Sequence, residues 1–235
     1  MEEMLCGMDS QMVSWEMKDI KMYYEYCNYN TQRILNAKDE MGKVFDMIDR
    51  GLNGFCTDIF QMREIAQFLP EGFVLAGPVD YPLGKSDRKV RQHEAITLLK
   101  SGANAIDLVC HRHYLMNNDW VSLKVDIQSM RQICKDYNAT LRIVTNWQDD
   151  KNVEIFIQVV KLLRDYKIDF LIPSTAYHND DFTDNLIVSH VVQEDTGVPT
   201  ICNGYLYLDK HKEQLDKAEI FGFRFYPSNY KMVYK

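Results

Sequence analysis

The sequence predicts an α/β fold, a single (β/α)8 barrel with an extra N-terminal helix, and three observations carry that expectation. Eight short apolar runs recur about every 20 to 36 residues. Amphipathic stretches of helical period separate them. No break in composition divides the 235 residues, a length that single α/β barrels reach. An open doubly wound sheet is the structural alternative, but no G-x-G-x-x-G follows a strand, which weakens its dinucleotide-binding form.

The elements follow in order. Residues 1–21 are a Met-rich amphipathic lead (Met12, Trp15, Met17, Ile20), expected as a helix docked across one end of a barrel spanning 22–235. Met22–Cys27 is the first strand, and Tyr23, Tyr24, Tyr26 and Tyr29 around it read as packing rather than base stacking. Gly54–Asp58 and Phe73–Val79 follow. Ser86 or Asp87 can then cap a helix running to Leu99, with Gly102 just past its end. Ala105–Cys110 and Leu141–Thr145 are strands four and five. Asp149–Asp150 put negative charge where the next helix opens. Within Asn152–Tyr166, Val153, Phe156, Val159, Val160 and Leu163 fall at three- and four-residue steps, with Lys161 and Arg164 on the outer face. Ile168–Pro173, Val198–Cys202 and Glu219–Phe223 complete the set. Four of the eight runs are continuously apolar, as strands buried on both faces should be. Only about a dozen residues follow Phe223, so the last helix is short or degenerate. The flank left open suits a partner subunit, as in a homodimer. Tyr226–Lys235, with Tyr230 and Tyr234 four apart, reads as one turn-rich helix over the mouth or a subunit contact.

Charge and cysteine usage narrow the function. Acidic side chains outnumber basic ones 34 to 27, for a net charge of −7, so nucleic acid is not an expected partner. No stretch approaches about 20 uninterrupted apolar residues, so no membrane span is expected. The start, MEEMLCGMDSQ, lacks the basic flank and apolar core of a secretory signal. Six scattered cysteines without a C-x-x-C pair (Cys6, Cys27, Cys56, Cys110, Cys134, Cys202) read as reduced, mostly buried thiols in a cytoplasm.

Barrel chemistry gathers at the C-terminal ends of the strands. Those ends carry Asp58, Asp80, His111, Asn146, Ser174-Thr175, Asn203-Gly204 and, after strand eight, Arg224. Asp107 and Arg142 lie inside strands four and five. Alternation aims Asp107 inward, between Ile106 and Leu108, and a charge there is costly unless paired, so an Asp107–Arg142 ion pair is the natural resolution.

Three of these segments resemble the deoxyribose-phosphate aldolases: Tyr81–Asp87 (YPLGKSD), Ala105–Asp119 (AIDLVCHRHYLMNND) closed by Trp120, and Asp169–Tyr177 (DFLIPSTAY). That family shows a P-L-G-x-x loop, an E-[IV]-D-x-V strand with a short A-L-x-x-G-D-W stretch, and a D-F-[IV]-K-T-S-T-G strand. The resemblance spans roughly residues 50 to 225, in order and spacing. It implies a class I lyase acting on a small phosphorylated or polyhydroxylated carbonyl compound, with no cofactor. It also assigns Asp107 to the strand-four aspartate that assists proton transfer.

The departures are as informative. Matching Phe-x-x-x-Ser-Thr places Ile172 where the family has its Schiff-base lysine. The second lysine, on strand seven, falls within Thr200–Gly204, which has none. The family's glycine pair becomes Asn203-Gly204 or Gly204-Tyr205, and its serines after strand eight fall on Arg224 and Phe225. Arg224 can restore anion affinity through a bidentate fork, or be a solvated or capping arginine. Lys85, at the correct face, is followed by Asp87, which raises its pKa if the two pair; Lys167 lies at the opposite face. His111 and His113 form an H-x-H pair that Asp58, Asp80 and His178 could join, but His113 falls where the chain leaves the strand, so no metal is assigned.

The residues nominated for acid/base work are therefore Asp107, His111 and Asp58. Arg142, Ser174, Thr175, Asn203, Gly204 and Arg224 are nominated for substrate binding. Three readings stay open: a diverged lyase using Asp107, a non-catalytic barrel that binds a metabolite or protein partner, and a metal-dependent lyase. An enzyme should have an open polar mouth with Asp107 reachable. A non-catalytic descendant should have that mouth filled by Tyr177, Tyr205 and Phe225.

Overall fold

A computed structural model describes residues 22–29, 37–149, 152–177 and 181–234. The helix expected over 1–21, with Met12, Trp15, Met17 and Ile20, lies outside the described residues, as do Asp150 and His178. Eight parallel strands form one sheet in the order β6-β5-β4-β3-β2-β1-β8-β7. They are β1 (Tyr23–Cys27), β2 (Gly54–Cys56), β3 (Val74–Val79), β4 (Ala105–Val109), β5 (Thr140–Val144), β6 (Phe170–Ile172), β7 (Ile201–Asn203) and β8 (Gly222–Phe225). A single Leu171–Thr200 bridge joins β6 to β7 and all but closes the barrel. Between the strands run α1 (Ala37–Asp49), α2 (Ile59–Ile65), α3 (Arg88–Lys100), α4 (Arg112–Met116), α5 (Trp120–Asp136), α6 (Val153–Asp165), α7 (Phe182–Thr196) and α8 (Asp209–Asp216). A 3-10 turn over Pro227–Asn229 and the short α9 (Tyr230–Val233) follow β8. None of the described helices is long and apolar enough to cross a membrane.

Alternation along each strand sorts side chains between two environments. On β4, Ile106 and Leu108 join the large apolar shell under the helices, while Ala105 and Val109 belong to the small clusters inside the barrel. Phe156, Val160 and Leu163 of α6 bury the face that their spacing predicted. Asp87 caps α3 by accepting from the Lys89 amide at 2.9 Å. The five described cysteines are free and buried.

Asn152 caps α6, because its extended backbone turns the side-chain oxygen onto the Glu154 amide at 2.8 Å. A 3-10 turn over Trp147–Asp149 precedes it. Several strand boundaries differ from expectation, two of them with consequences for the site. The seventh strand begins at Ile201 rather than Val198, since Pro199 has no N–H to give a ladder and only its carbonyl is used, by Leu171. The eighth begins at Gly222, where a Cβ would stand 2.7 Å from the Tyr23 carbonyl oxygen; only glycine lets the chain draw that close to β1. Arg224 is therefore inside β8 and not beyond it.

Candidate functional site

Midway along the barrel axis, four charged side chains from four strands meet. Glu25 and Arg224 are register partners on β1 and β8, and Asp107 and Arg142 are partners on β4 and β5. Within those neighbours, Arg224 Nε donates to Glu25 Oε1 at 2.6 Å and Arg142 Nε to Asp107 Oδ1 at 2.6 Å. The two pairs are then laced across the barrel: Arg142 Nη1 donates to Glu25 Oε2 at 2.5 Å, and Arg224 Nη2 donates to Asp107 Oδ2. Two carboxylates and two guanidiniums make a neutral quartet. Its members are 0% (Glu25, Asp107), 2% (Arg142) and 4% (Arg224) exposed, so water contributes almost nothing to their solvation. Tyr23 adds its hydroxyl to Glu25 at 2.6 Å, and the Cys56 thiol reaches Asp107 Oδ2 at 3.5 Å. Gly54 makes room: a Cβ there would lie 2.2 Å from the Tyr23 hydroxyl and 3.1 Å from Glu25 Oε2.

Burial alone would raise the Asp107 pKa, but the Arg142 and Arg224 guanidiniums outweigh it and hold the carboxyl below the ordinary aspartate range. Such a carboxylate stays charged at neutral pH and is fully occupied by donors. The expected Asp107–Arg142 pair is present. Glu25, the fourth member, is not among the sequence-nominated residues, because the tyrosines around it read as a packing cluster. Its place between inward-facing Tyr23 and Cys27, an acid at the centre of an apolar strand, was the signal. Arg224 corrects an expectation: placed inside β8, its guanidinium faces the carboxylates and not the mouth.

Above the quartet the C-terminal mouth is closed by tyrosines among the described residues. Tyr226 donates its hydroxyl to Asn203 Oδ1, and its ring stacks on Tyr205 at 4.5 Å between centroids. Tyr81 meets Tyr29 edge-on at 5.3 Å and donates its hydroxyl to the Thr175 carbonyl at 3.0 Å. A cavity of only about 10 Å³ is left beside Asp107, about the size of one water site. The filling residues differ from those expected. Tyr177 is largely exposed, and Phe225 faces the helices, packing on Tyr26 and Tyr234, because its odd register on β8 turns it away from Arg224.

Several of the other strand-end polar groups satisfy one another, while Asn146 Oδ1 and His111 Nδ1 are buried without a hydrogen-bond partner among the described residues. Asn203 donates its side-chain amide to the Ser174 carbonyl at 2.8 Å, and Ser174 Oγ accepts from the Ala176 amide at 2.9 Å. Thr175 Oγ1 accepts from the Tyr177 amide at 3.4 Å. Gly204 lies against the Phe182 ring, where a Cβ would fit at 3.5 Å. Asp58 caps α2, accepting from the Phe60 and Gln61 amides at 2.8 and 3.2 Å. His111 stacks on Tyr114 at 3.9 Å, and burial and the nearby Arg91 lower its pKa. Neither Asp58 nor His111 lines the cavity at Asp107, so the structure does not assemble the nominated acid/base trio. Glu25, Cys56 and Asp107 place ligand atoms within 4.8 Å of one another, but two guanidiniums already occupy these carboxylates and would repel a cation. Residue Ile172, matched to the reactive lysine, is fully buried inside the barrel with Val109, Val144 and Ile201.

No family model matches the chain. It is 31% identical over 122 residues to a deoxyribose-phosphate aldolase of Histophilus somni (strain 2336), a match covering 51% of this chain. The chain thus spans about half the length of that curated relative, 53%. It is 23% identical over 190 residues to a deoxyribose-phosphate aldolase of Thermococcus gammatolerans, covering 77% of this chain and 81% of the relative. Among solved structures, the aldolase QR15 superposes with a TM-score of 0.75 at 14% identity, covering 91% of this chain and 94% of that one.

Proposed function

We infer that the chain is a member of the deoxyribose-phosphate aldolase family, and from that premise we propose that it is an aldolase-like barrel without Schiff-base lyase activity, acting as a non-catalytic binding protein for a metabolite or protein partner. One observation carries this reading: the strand-four aspartate, the single residue of the family's catalytic set matched in this sequence, is locked into the neutral quartet with space beside it for about one water and no larger molecule. Ile172 supplies no amine at the position matched to the reactive lysine, and hydrophobic neighbours surround it. A carbonyl substrate would have to displace the Tyr226 lid and compete with two guanidiniums for Asp107.

The test is reductive trapping. The full chain is incubated with deoxyribose 5-phosphate and borohydride, and its intact mass is measured beside that of a catalytically active relative. The relative should gain a reduced sugar-phosphate adduct and this chain should not. An adduct on any lysine overturns the reading, and one on Lys85 would identify the replacement amine. Family membership favours one rival, a lyase that kept activity on a small phosphorylated or polyhydroxylated carbonyl compound by another route. Release of aldehyde from such a compound without a trapped adduct would support it.

A further inference from the structure

We propose that Cys27 and Cys56 form an oxidisable dithiol inside the barrel, a modification site at which a hydroperoxide is reduced and a β1–β2 disulfide is formed. The two are register partners at the ends of neighbouring parallel strands. Both turn inward, since Cys27 shares the face of Glu25 and Cys56 that of Gly54, and both belong to one interior cluster. In-register Cα atoms on adjacent strands stand about 4.8 Å apart, inside the range of about 4.4–6.8 Å that a disulfide spans. Both residues line the small cavity beneath Tyr226 and Tyr81, with Cys27 4% and Cys56 1% exposed. The other described cysteines, Cys110, Cys134 and Cys202, sit in the shell under the helices, away from this cavity.

The surroundings divide the roles. Burial works against the Cys27 thiolate, but the Cys56 thiol and the Arg224 guanidinium outweigh it and bring its pKa below the ordinary thiol value. Cys56 is pushed the other way, by Cys27 and by burial, and its thiol points to Asp107. Because the Cys56 thiol donates to Asp107 Oδ2 at 3.5 Å and so keeps its proton, Cys27 is the attacking sulfur. Its thiolate attacks one peroxide oxygen, the O–O bond breaks, and the departing oxygen leaves with the thiol proton, as water when the oxidant is hydrogen peroxide. Cys27 is left as a sulfenic acid. The Cys56 sulfur then attacks that sulfur, the S–O bond breaks, and hydroxide leaves with the Cys56 proton as water. Two electrons from the two thiols have reduced one peroxide. The disulfide removes the thiol hydrogen from Asp107 and ties β1 to β2 at the mouth.

The experiment uses the folded full chain and hydrogen peroxide. Peptide mapping without reductant should show the Cys27 peptide linked to the Cys56 peptide, with two hydrogens lost and dithiothreitol restoring them. In Cys56→Ser the resolving thiol is absent, and dimedone should trap a sulfenic acid on Cys27 about tenfold faster than on Cys134 or Cys202. Both thiols remaining alkylatable after peroxide treatment would overturn the proposal. So would a link to any other cysteine, or reaction only after the chain is unfolded in urea. The mapping on the unsubstituted chain decides the matter even if the serine variant fails to fold.

Discussion

At its C-terminal end the barrel narrows to a cavity of about 10 Å³ under Tyr226 and Tyr81, while at its N-terminal end the same strands open onto a largely apolar cavity of about 580 Å³. Tyr23, Phe170, Phe221, Ile201 and Pro199 line the wide end, which reaches down to Arg142. In enzymes of this fold the chemistry sits at the C-terminal face and the other face serves stability. Along the barrel axis, among the described residues, the space is distributed the opposite way, and the C-terminal face keeps only an open hollow of about 470 Å³ off the axis, beside Lys85 and His111. The strands that would present catalytic groups deliver polar atoms to one another, and the charged centre between the two ends serves as a partition. Shape follows from side-chain size: Gly54, Cys56, Ala76 and Ala105 on neighbouring strands leave volume that the two arginines fill.

Disturbing the partition should have the largest effect. Arg224→Met leaves Glu25 and Asp107 sharing one guanidinium in a site shielded from bulk solvent, and should destabilise the fold by about 3–5 kcal/mol, measured by chemical denaturation. A loss below about 1 kcal/mol would mean that water reaches the quartet and that the narrow end is open.

The second effect is on acid stability. Because the folded Asp107 pKa lies below the unfolded value of about 3.9, the unfolded chain binds a proton first as pH falls. The contribution of Asp107 is therefore complete above about pH 5 and is lost as pH falls through the folded value. Denaturation between about pH 5 and pH 2 should steepen in the parent and flatten in Asp107→Asn. Equal slopes would mean that the carboxylate is not held by the arginines.

A smaller change tests the lid. Tyr226→Phe keeps the ring on Tyr205 and removes only the hydrogen bond to Asn203, so about 1 kcal/mol should be lost, read from the melting temperature. The smallest effect separates a cap from a catalyst. Asp58→Ala should cost about 1 kcal/mol or less through the fraying of α2, and Asp58→Asn should restore most of it. Failure of the asparagine to rescue would argue for a role of the charge itself.

How far the sequence revealed this molecule differs between shell and interior. The apolar runs located all eight strands, and the helical spacing of Phe156, Val160 and Leu163 predicted the buried face of α6, because period and burial are local signals. Alternation around Ile106 and Leu108 also placed Asp107 inward beside Arg142. Glu25 and Arg224 were harder. Their meeting depends on closing the sheet between the first and last strands, a contact between residues 199 positions apart. The boundary of β8 hid it further: a strand placed at Glu219–Phe223 puts Arg224 at the mouth, and only the approach of Gly222 to Tyr23 shows otherwise. The tyrosine lid depends on the same shift. Ending β8 at Phe225 sends that ring outward and leaves Tyr226 over the axis.

The most direct test of the neutral quartet is a double-mutant cycle on Arg142→Met and Asp107→Asn, with stability measured at neutral pH. Each single change leaves an unbalanced buried charge, one carboxylate too many or one guanidinium too many. The pair of changes restores neutrality as Glu25 with Arg224. The double variant should therefore lose clearly less stability than the two singles summed, with a coupling of about 2–3 kcal/mol. Additive losses, with coupling near zero, would show that Asp107 and Arg142 act independently, and the charged partition of this barrel would not exist.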